Sequence, residues 1–114
     1  MDDARIPAHL EVSGLIRAVD AAGGFATVLA TGERDAGTIL VVCCEHGTNA
    51  AAYERMPQPD GSRRWTLSRR QDPENSQEFA EYCERRKNQD RDLWIVELDI
   101  PDAERFIDSS GTLN

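Results

Sequence analysis

Six consecutive apolar residues, Ile39-Leu40-Val41-Val42-Cys43-Cys44, form the longest unbroken apolar run in the chain. The run is far too short for a membrane-spanning helix, which needs ~20 residues. Side chains alternate between the two faces of a strand, so a strand that is apolar at every position must be covered on both. Thr38–Glu45 therefore reads as an interior strand. The residues that follow, Glu45-His46-Gly47-Thr48, read as a turn with a glycine available for positive φ.

The rest of the chain supplies the neighbours that such a strand needs. Residues 8–22 place Val12, Leu15, Ile16, Val19 and Ala22 on one helical face, with Glu11, Arg17 and Asp20 off it. Pro7 suits the first turn of that helix and Gly23-Gly24 its end. Phe25–Thr31 reads as a strand, followed by the loop "GERDAG". Ala50–Arg55 and Arg64–Ser68 read as two more strands, the second an edge, joined by a turn in which Pro59, Asp60 and Gly61 each have a stated conformational role. Asp72-Pro73 opens a second helix, with Asp72 or Ser76 as its cap. Phe79, Tyr82, Cys83 and Arg86 share a face of that helix, and its acids and bases are ordered as the macrodipole favours. In "DLWIVELDI", Trp94, Val96, Leu98 and Ile100 share one face, while Leu93 and Ile95 begin the other, which ends in Glu97 and Asp99. This strand too should be internal. Pro101–Ile107 reads as a last short helix, and residues 1–6 and 108–114 as frayed termini.

The order is helix, four strands, helix, strand, short helix. It predicts an α+β fold: one mixed, mostly antiparallel sheet of about five strands with two main helices packed on it. A chain of 114 residues makes one domain, spanning 1–114.

Charge narrows the function classes. The net charge is −8, which repels phosphate backbones and argues against nucleic-acid binding. Residues 1–54 and 92–114 each carry a net −5, and residues 55–91 a net +2, so an anion-binding surface belongs in the middle third. Twelve of the thirteen basic residues are arginine, the side chain better suited to buried ion pairs. Three cysteines cannot all pair, the acidic start "MDDARIPAHL" lacks the apolar run of a signal peptide, and no membrane helix is present. A soluble protein of a reducing compartment, the cytoplasm, is expected, with no membrane partner.

Taken together, "GGFATVLATGERDAGTILV", "YERMPQPDGSRRWT" and "DRDLWIVELDI" resemble an alphaproteobacterial family known as domain of unknown function 1491. The resemblance runs along essentially the whole chain. It implies a small cytosolic bacterial protein, and it brings no activity, cofactor or catalytic residue with it.

Three groups of residues could carry chemistry. Cys43, Cys44 and His46 have metal-ligand character, but alternation puts the two sulfurs on opposite faces. The paired C-x-x-C or H-x-x-x-H spacing of a zinc site is missing. Cys83 could join Cys44 only if the second helix packs over that strand end. The plainer reading is three core thiols and a turn histidine. Glu97 and Asp99, with Asp90, Asp92 or Asp102, could hold magnesium or transfer protons at the carboxyl end of a central strand. The plainer reading is a strand emerging into water. Arg63, Arg64 and Trp65, with Tyr53 and Arg55 across the hairpin and Arg69 and Arg70 beyond, could grip an anion. The plainer reading is an edge strand guarded by charge. His9 is remote from all three groups.

Glycine-rich phosphate loops, nucleophile elbows, H-E-x-x-H and EF-hand spacings are absent from the sequence. The balance favours a non-enzymatic interaction or ligand-binding domain that recognises an acidic protein or small anion through the Arg/Trp hairpin. No cofactor, metal or catalytic residue is assigned. The alternative is a small metal- or thiol-dependent enzyme using Glu97 and Asp99 or the cysteines.

Overall fold

The computed structural model describes residues 6–107. The expected frayed ends lie outside those residues, apart from the exposed Ile6. The elements are α1 (Ala8–Ala21), β1 (Phe25–Ala30), β2 (Ile39–Glu45), β3 (Thr48–Pro57), β4 (Arg63–Arg70), α2 (Ser76–Gln89) and β5 (Trp94–Asp99). A turn over residues 101–104 then enters helical residues 105–107. The strands form one five-stranded sheet in the order β1-β5-β2-β3-β4. Only β2 and β5 are parallel; the other neighbours are antiparallel. The fold is α+β with a mixed, mostly antiparallel sheet, as the sequence implied.

The apolar run of β2 lies in the middle strand, and alternation divides it between two cores. Ile39, Val41 and Cys43 join Trp94, Val96 and Leu98 under α1, where Ala8, Val12 and Val19 close the layer. Leu40, Val42 and Cys44 join Leu93 and Ile95 under α2, where Phe79 and Tyr82 close it. Each aliphatic side chain buried this way contributes about 1.5–3 kcal/mol relative to exposure. The helix faces read from the sequence are therefore the ones that pack, apart from Ala22, which is exposed just past the end of α1.

Local chemistry sets the connections. The two central residues of the β2–β3 turn, His46 and Gly47, both have positive φ, 53° and 72°. A two-residue hairpin of this kind matches the twist of its strands. The cap of α2 is Asn75, whose side chain accepts from the Glu78 amide, rather than Asp72 or Ser76. Asp72 instead accepts from the Glu74 amide at 2.9 Å, which makes a turn ahead of the helix. β3 and β4 extend beyond the expected segments, because their antiparallel pairing continues out to Pro57 and Arg63.

The loop "GERDAG" does more than connect. Pro7 offers no side-chain cap to α1. The first helical amides, of Ala8 and His9, donate instead to the carbonyls of Asp35 and Arg34, at 3.0 and 2.9 Å. The same loop receives the Trp94 indole N–H on the Glu33 carbonyl at 2.8 Å. The Glu33 amide donates to the Asp92 carbonyl at 3.0 Å. One loop thus satisfies a helix start and locks the entry to β5.

The approach is so close that only glycine fits. A Cβ on Gly32 would lie 2.1 Å from the Asp92 carbonyl oxygen, and one on Gly37 would lie 2.3 Å from it. Gly37→Ala is expected to lower stability by at least ~2 kcal/mol, because backbone must move to admit the methyl group. Urea unfolding followed by circular dichroism measures the loss.

Candidate functional site

The expected Arg/Trp cluster divides between the two faces of the sheet. Arg55 and Trp65 are directly opposite each other across β3 and β4. The Arg55 guanidinium lies 4.9 Å from the Trp65 ring centroid, and Trp65 packs against the α1-side core. Arg55 also donates from Nη2 to Glu11 of α1 at 2.7 Å. Tyr53, on the same side, donates its hydroxyl to Glu104 at 3.3 Å. Burial, then the nearby Glu104 carboxylate, pushes the Tyr53 phenol above its ordinary pKa. Arg63 and Arg55 line a shallow pocket with Glu11 and Asp35. Arg64 is exposed one residue further along β4.

A bulge between Ala52 and Tyr53 shifts the register of β4, which places Arg69 opposite Ala52 and Leu67 opposite Tyr53. The extra residue is Ser68, whose hydroxyl lies 3.0 Å from that of Tyr82 on α2. Arg69 stacks on the Tyr82 ring at 4.5 Å from its centroid and pairs with Glu78. Arg86 reaches Glu54 on β3 at 2.6 Å and the Tyr82 hydroxyl at 2.9 Å. Three arginines therefore share one arrangement: each pairs with a glutamate from another element and lies over an aromatic ring. Glu11, Glu54, Glu78 and Tyr82 were not among the expected site residues. The excess of arginine over lysine was the one sequence signal for them.

The strand-end carboxylates have different surroundings. Asp99 accepts from the backbone amides of His46 and Gly47, at 2.7 and 3.1 Å. Both oxygens thus close the β2–β3 turn. Glu97 is half-buried and lines a pocket of about 350 Å3 between α2 and the sheet. Cys44 and Cys83 line the same pocket, so α2 does pack over that strand end. Cys43 lies in the opposite core. Among the described residues no group of three His, Cys, Asp or Glu side chains could hold a metal ion.

The thiols are poorly suited to nucleophilic work. Burial, reinforced for Cys43 by Glu104 and for Cys44 by Glu97 and Asp99, pushes both from 9.0 to about 12. Burial and Glu97 also raise Cys83. A catalytic thiol needs the reverse setting, with positive charge nearby to favour the thiolate.

These features define a small α+β protein with helices on both sheet faces, arginine–glutamate clamps between layers and two of its three free thiols buried. The chain belongs to the DUF1491 family, described as proteins of unknown function, whose profile matches residues 6–108. It is similar to the crystal structure of a family member from Caulobacter crescentus CB15, with 29% identity over 90% of this chain and 94% of that one and a TM-score of 0.76. The solution structure of Atu0922 from A. tumefaciens is similar too, with 31% identity over 90% and 92% of the two chains and a TM-score of 0.71. No curated protein matches the chain.

Asp99→Ala leaves two turn amides without their charged acceptor and is expected to cost ~1–3 kcal/mol in urea unfolding. The raised thiols add a pH dependence. Below pH 9 both folded and unfolded states keep them protonated. Above it the unfolded chain ionises first, so stability falls as pH rises from 9.0 towards about 12. At pH 8, iodoacetamide should leave Cys43 and Cys44 unmodified until denaturant is added, which peptide mass spectrometry reads directly.

Proposed function

We propose that this protein is a non-enzymatic binding domain that pairs with an extended acidic segment of a partner protein along the open edge of β4. One observation carries the reading. β4 is an edge strand of eight residues with no carboxylate, on which Arg64 and Arg70 are exposed, in a chain of net charge −8. An open edge offers main-chain hydrogen bonds to an added strand, and the arginines choose the charge of that strand. Two copies of the edge repel each other, which guards against self-pairing.

The earlier candidates take different parts in this reading. Arg63 and Arg64 begin the edge and Arg70 ends it. Trp65, Arg55 and Tyr53 brace the strand from the α1 side. Nucleic acid and membrane surfaces are poor partners for the acidic remainder of the chain. The whole chain acts as one domain in the cytoplasm. In support, the three cysteines are free thiols, and no described helix is long and apolar enough to cross a membrane.

The test uses a ten-residue synthetic peptide of alternating glutamate and valine, with a lysine–valine peptide as control, titrated into 15N-labelled protein. The acidic peptide should shift the amides of β4 and bind more weakly as salt rises. Arg64→Glu combined with Arg70→Glu should weaken it by roughly tenfold or more while circular dichroism stays unchanged. Equal binding of the lysine peptide, or no effect of the double variant, would overturn the reading.

A further inference from the structure

A second feature, on the α2 side, is independent of the β4 edge. Where α2 crosses the carboxyl ends of β2 and β5, both surfaces include small residues. Ser76, Ala80 and Cys83 of the helix face Cys44, Gly47 and Ala50. Small residues set against small residues leave unfilled volume, here the pocket of about 350 Å3. Its walls include Val42, Ile95 and Phe79, all buried, with Leu29 at the rim.

One charged side chain in this pocket has no counter-ion. Glu97 is half-buried, and its carboxylate is one of the groups that hold the Cys44 thiol in its neutral form. Two further charged side chains line the pocket, Glu84 and Lys87, and they pair with each other at 3.8 Å, while Asp99 outside it is held by the turn amides. Among the described residues no cation pairs with Glu97. A carboxylate in a partly apolar pocket gains from any cation that enters beside it. A metal ion would need several further oxygen, nitrogen or sulfur ligands, and the apolar walls would gain nothing from it.

We infer that this pocket binds a small organic ammonium ion with a compact apolar body. The ammonium group pairs with Glu97, and the body rests on Val42, Phe79 and Ile95. The site is separate from the β4 edge, so each reading can fail without the other.

Benzylamine is a suitable probe, because it joins one ammonium group to one apolar ring. Benzyl alcohol keeps the ring and lacks the charge. Titrated into 15N-labelled protein to ~10 mM, benzylamine should give saturable shifts confined to residues that line the pocket, with benzyl alcohol at least roughly tenfold weaker. Glu97→Gln should abolish that preference. Ala80→Leu should fill the pocket and remove the shifts, while binding of the acidic peptide at β4 persists. Absence of saturable shifts with benzylamine, equal binding of benzyl alcohol to the unmodified protein, or an unchanged preference in Glu97→Gln would each overturn the inference.

Discussion

The parallel pairing of β2 with β5 is the constraint on which the rest of the structure depends. Six consecutive residues of β2, from Ile39 to Cys44, pair with Trp94 to Asp99. Both strands present apolar side chains on both faces, so neither can lie at a surface. A parallel pair needs a long crossover, and the segment containing α2 supplies it before the chain enters β5. Once that seam is set, α1 must cover one face, α2 the other, and β1 and β3 must flank it. The edges that remain, β1 and β4, differ in character. β1 exposes Phe25 and Leu29, 74% and 47% accessible, whereas β4 carries its arginines.

The second organising interaction is the arginine clamp. Most of the β3–β4 hairpin is less deeply buried than the central strands, and apolar burial contributes less there. Arg55–Glu11, Arg69–Glu78 and Arg86–Glu54 bridge the layers there, each with its guanidinium over Trp65 or Tyr82. Half-buried pairs of this kind do not carry the bulk of stability, since desolvation offsets much of the attraction. Their planar geometry fixes which way each helix lies across the strands, which less directional apolar contacts would leave loose. Arginine suits this better than lysine because its plane can stack and chelate at once.

The two candidate sites follow from these devices. Arg55, Arg69 and Arg86 are taken up by the clamps, and the exposed Arg64 and Arg70 give the open edge its charge. The pocket beside Glu97 exists because α2 presents the small side chains of Ser76, Ala80 and Cys83 to the sheet beside the larger Phe79 and Tyr82. A sequence reading could name Glu97, Cys44 and Cys83 separately. It could not show that they line one cavity, since they come from β5, β2 and α2, whose packing depends on contacts remote in sequence. Glu11 was legible only as an exposed helix residue, because its partner Arg55 is 44 positions away.

The sequence by itself determined the elements, their order, the doubly covered strand, the edge position of β4 and the opposed faces of Cys43 and Cys44. Those follow from alternation, helical spacing and turn chemistry, which act over a few residues and so are written locally. Only the tertiary structure decided that Asp99 serves the turn while Glu97 faces a pocket, that "GERDAG" caps α1, and which arginines remain at the surface. Each of those outcomes depends on polar groups meeting across the fold. A carboxylate or guanidinium takes whatever partner the packed backbone brings within about 3 Å, and residue type alone does not specify that partner.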